Sequence, residues 1–307
     1  MMQYFYETYG LKIGSDLVLN DYWTDEHPEV VRDVMIERGK VPGQIAGNCI
    51  HRGPNWEMSE DAFIIHVPRV GAYLIEAGNR IVYEAAPKVE DRDVGLFLFD
   101  VALPILLHQR KVVALRASAV LVNGKAVLLC GASGTGKSIL AESLAQRGHP
   151  VLADTCASIS LGAGGMPCLL PEGPKIRLWG RALEKKGFDP VDHTVLRSCK
   201  LKYLVSSLPA SREQAAIGAI YFLIEHRPPR TAGIERLDAI NASHYLVMNA
   251  LRPRLLQAMN LMPKFFSMAA QMSAKSEMYT LTCERDVTVF DTFAGQMDAQ
   301  WQGEGTI

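Results

Sequence analysis

Residues 127–159 read VLLCGASGTGKSILAESLAQRGHPVLADTCASI. Gly131, Gly136, Lys137 and Ser138 stand at the spacing G-x-x-x-x-G-K-[ST]. The apolar run AVLLC before them reads as a strand, and SILAESLAQRG after them reads as a helix stopped by Gly148. Strand, glycine-rich loop and helix form the arrangement that turns backbone N–H groups around phosphates. The helix N-terminus adds its partial positive charge. The expected cradle is Gly131, Ser133, Gly134, Thr135, Gly136, Lys137 and Ser138. Lys137 should reach the β- and γ-phosphates, and Ser138 should ligate magnesium, so a nucleoside triphosphate, ATP or GTP since the loop does not encode the base, and Mg2+ are the expected cofactors, with ATP taken as the donor. A glycine-rich turn without a ligand is the bland alternative.

A second landmark follows soon after. HPVLAD reads as a buried strand ending in Asp154, 17 positions beyond Lys137. So short a crossover predicts that this strand lies directly beside the phosphate-loop strand. Asp154 would then point to the same phosphate-binding end of the sheet. A surface or helix-capping aspartate is the alternative.

Composition bounds the rest. The chain has 307 residues, 48% of them hydrophobic, and a net charge of -1. That supports a sizeable core and leaves no basic footprint for nucleic acid. The six cysteines form no C-x-x-C pair, so neither a zinc knuckle nor a redox motif is implied. His51, His66, His108, His193, His226 and His244 lack metal-ligand spacing. The opening MMQYFYETYG lacks the pattern of a signal peptide. The longest apolar run, VGLFLFDVALPILL, is interrupted by Asp100 and Pro104 and is too short to span a bilayer. The expected setting is the cytoplasm, with neither membrane nor nucleic acid as partner.

Along the chain, DAFIIHVP, GAYLIEAG and RIVYEAAP read as an antiparallel meander. Residues 20–58 are polar and read as loop. DRDVGLFLFDVALPILLHQR has helical spacing, which Pro104 should kink or split. Asn123-Gly124 predicts a tight hairpin whose second strand delivers the loop. RALEKKGFD reads as helix, AAIGAIYFLIEHR as a buried strand, IERLDAINASHYLVMNALRPRLLQAMNLMPKFFSMAAQMSA as helix broken near Pro253 and Pro263, and EMYTLTCERD as a closing strand. The fold class is α/β. The expected division is a β-rich subdomain over residues 1–90 and a phosphate-loop domain over residues 91–307.

RGHPVLAD at this distance from the loop resembles the HPr kinase/phosphorylase family. Further matches are YETYGLKIGSDL, LLHQRK, LRASAV and IRLW, strongest over about residues 95–180. The pattern is most similar to short HPr-kinase-like proteins, several of them associated with lasso-peptide biosynthesis. The resemblance implies a phosphate-loop kinase core of the HPr kinase / phosphoenolpyruvate carboxykinase type. It also implies a serine kinase acting on a peptide or small protein, a lasso-peptide precursor with a C-terminal serine above all, and a homo-oligomer. Two positions depart from the family: its second aspartate is Thr155 here, and its strand histidine is Arg116. Asp154 must then serve alone as base, metal partner or both. Thr155 is a candidate for a metal-bound water. Arg116 would stabilise the transferring phosphoryl group or pair with Asp154. Arg177, in the IRLW match, is the first choice among basic contacts, ahead of Lys175, Lys200 and Lys202. Trp179 reads as core and His149 as an electrostatic cap of the preceding helix. An HPr-like kinase with another acceptor and a non-catalytic nucleotide-binding regulator are the other readings.

Overall fold

The computed structural model describes residues 4–19, 22–27, 29–189, 194–197, 202–205 and 208–304. It comprises two compact units, Met1–Val112 with Arg254–Leu261, and Val113–Pro253 with Met262–Ile307. The units divide after Val112, whereas the sequence suggested a boundary after residue 90.

The first unit is built on a nine-stranded sheet of β1 (Tyr4–Thr8), β2 (Leu11–Ser15), β3 (Trp23–Thr24), β4 (Val34–Arg38), β5 (His51–Arg52), β6 (Trp56–Met58), β7 (Ala62–Val67), β8 (Gly71–Glu76) and β9 (Arg80–Ala85). Their order is β3-β1-β2-β4-β9-β8-β7-β6-β5. The β7–β9 meander is antiparallel as expected. The loop expected over residues 20–58 is corrected: it contains four strands, one of them central. β4 pairs in parallel with both β2 and β9. Its Val34 and Ile36 are buried, and the alternation VMIER that places them there is short and set in polar sequence.

The expected long helix is split. α1 (Asp91–Phe97) gives way to a π-helical turn over Leu98–Ala102 and then to α2 (Leu103–Gln109), with Pro104 in its first turn. Directly behind the π-helical turn, the proline has no N–H with which to continue the helical hydrogen bonds, and the α-helical pattern restarts there. Both helices belong to the first unit, where Tyr73 Oη donates to the Val94 carbonyl at 2.8 Å.

The second unit holds β10 (Val113–Leu115), β11 (Ala117–Val122), β12 (Lys125–Cys130), α3 (Lys137–Ala145), β13 (Val151–Ala153), β14 (Ala157–Leu161), β15 (Pro167–Leu170), β16 (Ile176–Trp179) and α4 (Gly180–Lys185). Beyond these come β17 (Thr194–Arg197), β18 (Lys202–Val205), β19 (Ala215–Glu225), β20 (Gly233–Arg236), α5 (Ala239–Met248), α6 (Pro253–Ala258), α7 (Met262–Lys275), β21 (Glu277–Cys283) and α8 (Val287–Glu304). Apart from Pro253, α6 belongs to the first unit. β10, β14, β15, β19, β12, β11 and β13 form a mixed sheet in that order, with β21 joined to β19 and β20 to β21. β16, β18 and β17 form a separate small sheet.

The hairpin at Asn123-Gly124 is present: both residues have positive φ, and β11 pairs with β12 from Ala117–Cys130 to Val122–Lys125. IER, the start of the expected helix, belongs instead to strand β20, which pairs antiparallel with β21. α8 had no counterpart in the sequence reading. It packs against α3 through Phe290, Ala294 and Met297 in the core formed by α3 and the sheet. Among the described residues, no helix is long and apolar enough to cross a membrane.

Candidate nucleotide-binding site

β12 runs into a loop whose three glycines all take positive φ: Gly131 at 158°, Gly134 at 82° and Gly136 at 98°. Two of them are also required by close packing. A Cβ on Gly136 would lie 1.9 Å from Phe290 Cζ, and one on Gly131 would lie 2.7 Å from Thr135 Oγ1. α3 starts at Lys137 with Gly136 as its N-cap. Lys137 is buried, and its Nζ donates to the Ala132 carbonyl at 2.9 Å, across the loop. Thr135 Oγ1 donates to the same carbonyl at 2.9 Å. The loop is thereby closed on itself, with its lysine already folded over it. Ser133 and Gly134 are exposed at its tip. Cys130, the last residue of β12, is fully buried; burial pushes its thiol up to about 12, against the pull of the Lys137 charge. It is a packing residue, not a nucleophile.

Asp154 lies at the same end of the sheet, but the expected adjacency is corrected. β13 pairs with β11, and β11 stands between β13 and the loop strand β12. The hairpin places β11 in that position and leaves β13 the next place along. The carboxylate of Asp154 is buried and bridged. Oδ1 accepts from Ser118 Oγ at 2.9 Å, and Oδ2 accepts from the Arg177 backbone N–H at 2.8 Å. It is neither a surface nor a helix-capping aspartate.

The organising residue is Glu172, which the sequence reading did not single out. Its Oε2 accepts from the backbone N–H groups of Asp154 at 2.8 Å and Thr155 at 3.0 Å, with Cys156 at 3.5 Å. Its Oε1 faces the Arg177 guanidinium at 3.4 Å, with both side chains almost fully buried. Arg177 Nη1 also donates to Thr155 Oγ1. Arg177 therefore braces the turn that carries Asp154, and Thr155 is engaged by it. The only cue in the sequence was an acid between two prolines, PEGP, in apolar surroundings.

Arg116 does not pair with Asp154 among the described contacts; Ser118 takes that place. Arg116 instead lines a cavity of about 420 Å³ together with Gly131, Ala132 and Thr135 of the loop. Its backbone N–H donates to the Asn249 carbonyl at 2.8 Å. Lys175 precedes β16, and Lys202 opens β18. Lys200, Cys199 and His193 lie outside the described residues. Trp179 is not core: at the end of β16 it is 46% exposed. His149 meets Asp298 of α8 at 3.0 Å and sits edge-on to Trp301, so a specific pair replaces the expected helix cap.

The donors present suit magnesium, a hard ion that takes oxygen ligands. Ser138 Oγ has no hydrogen-bond partner among the described residues. The Asp154 carboxylate, bonded as above, is the other oxygen donor at this end of the sheet.

No family model matches the chain, and no curated protein matches it. Among solved structures it is similar to the HPr(Ser) kinase/phosphatase from Coxiella burnetii, at 10% identity and a TM-score of 0.31, over 62% of this chain and 98% of that one. Likeness at that level carries no inference about chemistry.

Proposed function

We propose that the protein is an ATP-dependent serine kinase that transfers the γ-phosphate to a hydroxyl of a peptide or small protein, a lasso-peptide precursor with a C-terminal serine being the favoured acceptor. The observation that carries this reading is the closed loop itself. Three glycines with positive φ lead into α3, and Lys137 Nζ already lies over the loop at the Ala132 carbonyl. Such a loop presents backbone N–H groups and an ammonium to phosphates at little reorganisation cost. Phosphoryl transfer is mainly a matter of positioning and charge neutralisation, and a preformed cradle supplies both.

Asp154 supplies the second requirement. Ser118 and the Arg177 backbone hold its carboxylate at the loop end of the sheet. There it would accept the proton of the attacking hydroxyl, a contribution of about 10²- to 10⁴-fold. Magnesium, when bound, would be held by Ser138 and Asp154 and would neutralise phosphate charge. Arg116 would face the phosphates from the cavity beside the loop.

One observation favours a second reading, a nucleotide-binding regulator without transfer. Both Asp154 oxygens already have donors, as a purely structural carboxylate would. Mass spectrometry separates the two, with magnesium-ATP, candidate serine peptides, and the Lys137→Ala and Asp154→Asn variants. Serine phosphorylation lost in both variants supports the kinase. Lys137-dependent ATP binding without transfer to any acceptor supports the regulator. No ATP binding at all defeats both.

A further inference from the structure

We infer that the cavity beside the phosphate loop is the nucleoside subsite, which receives the base and ribose of the triphosphate held by the loop. The inference rests on the phosphate-loop reading above. At about 420 Å³ the cavity falls within the range of small-molecule sites. One wall is the loop, at Gly131, Ala132 and Thr135. The lining continues with the end of β19, Phe222 to Glu225, and with Tyr245 and Met248 of α5.

Strand order assigns the flank. β12 delivers the loop, and Asp154 follows β13, two strands away on one side. β19 is the neighbour of β12 on the other side, and its end lines the cavity. A triphosphate in the loop has two ends. If the γ-phosphate faces the acid that serves the acceptor, the nucleoside must leave on the β19 side.

The lining chemistry agrees. Phe222, Leu223, Ile224, Tyr245 and Met248 are mainly apolar, with the Phe222 and Tyr245 rings stacked at 5.2 Å. Such walls suit a flat heterocycle. Arg116, Arg230 and Arg285 also line the cavity, against one acid, Glu225. Glu225 is already paired with Arg227 at 2.6 Å and Arg285 at 3.2 Å. The net positive balance suits a ligand that is apolar at one end and polyanionic at the other, and guanidinium groups stack well on bases.

The test compares magnesium-ATP with inorganic tripolyphosphate, which has no nucleoside, by calorimetric titration of the full chain. Lys137→Ala should weaken both. Tyr245→Ala, which removes a wall, and Met248→Trp, which fills the space from a side chain 63% exposed, should weaken ATP about tenfold or more, the scale of a lost base–aromatic stack. Tripolyphosphate binding should be unchanged in both. Photolabelling of the wild-type chain with 8-azido-ATP should mark residues 222–225 or 244–249. ATP affinity unchanged by both cavity variants, with label elsewhere, overturns the inference. Equal weakening of ATP and tripolyphosphate also overturns it, because the cavity would then serve phosphates. If wild-type protein binds neither ligand, or Lys137→Ala changes neither, the phosphate-loop reading itself fails and takes this inference with it.

Discussion

Glu172 shows how a residue remote from the loop can govern the proposed chemistry. One carboxylate oxygen gathers successive backbone N–H groups of the Asp154 turn, and the other faces Arg177. Glu172→Gln keeps an acceptor but loses the charge that balances Arg177. Since Glu172 does not touch the loop in any described contact, the expected result is a fall in kcat of up to about 100-fold from misplacement of Asp154, with KM for ATP unchanged. Steady-state phosphorylation kinetics check this; an unchanged kcat, or a loss confined to KM, would remove Glu172 from the mechanism. Complete removal, Glu172→Ala, takes away the buried carboxylate that faces the Arg177 guanidinium and should cost about 3–5 kcal/mol in urea denaturation. Gly136 is a second residue-scale test. Its φ of 98° and the 1.9 Å approach of an added Cβ to Phe290 leave no room for alanine. Gly136→Ala should lose about 1–3 kcal/mol of stability and ATP binding as well. Wild-type ATP affinity in that variant would show the loop to be less constrained than its geometry implies.

At the scale of elements, α3 is held to α8 and to the end of α4 by a buried cluster. Lys186 lies 2.7 Å from Glu142 and pairs with Asp291, and Ser143 Oγ donates to Asp291 at 2.6 Å. Burial raises the Glu142 pKa against the pull of Lys186. Burial also pushes Asp291 up, but its bonds from Lys186 and Ser143 outweigh that and leave it below its ordinary value. The signs differ in consequence. Asp291 contributes stability above its unfolded pKa, and this is lost as pH falls through the lower folded value. Glu142 is the reverse: its contribution is present below the unfolded pKa and is lost as pH rises through the folded one. Lys186→Met should therefore destabilise by about 3–5 kcal/mol near pH 8, and the deficit should shrink towards pH 5 as Glu142 takes up a proton. Paired urea titrations across that range measure it. A deficit that stays constant or grows on acidification would contradict the assignment to Glu142. The element that sequence could not order was β11. Its hairpin turn was legible in Asn123-Gly124, but only the sheet reveals that β11 separates β12 from β13.

For the whole molecule, the division into two units gives a prediction about ligand linkage. Every residue of the candidate site lies in the second unit, Val113–Pro253 with Met262–Ile307. A ligand at 100 times its Kd stabilises the unit that binds it by about 2.7 kcal/mol. Hydrogen exchange of the intact chain with saturating magnesium-ATP should slow amides of the second unit and leave those of residues 4–112 unchanged. Equal protection of both units would mean that they open as one cooperative body. The first unit also contains residues 254–261, which reach it only after the chain has built most of the second. No local pattern announces such a return.

The sequence by itself determined what depends on neighbours along the chain. Glycines at fixed spacing need positive φ, an apolar run feeds them, Lys137 and Ser138 open the helix behind them, and Asn123-Gly124 closes a hairpin. These are short-range steric and hydrogen-bonding demands, so the phosphate loop and its strand and helix were legible. The end of the sheet occupied by Asp154 was legible too, because a strand, helix, strand crossover returns the chain in the same direction. Tertiary structure decided the rest. It set β11 between β12 and β13 and brought Glu172, 18 residues beyond Asp154, onto the backbone of that turn. It buried Arg177 as a brace and left Trp179 half exposed. It also formed a cavity from β19, α5 and the loop. Each of these depends on pairing or charge compensation between distant segments, where the gain comes from removing polar groups from water in matched sets. That matching has no period in the sequence and appears only once the sheet has assembled.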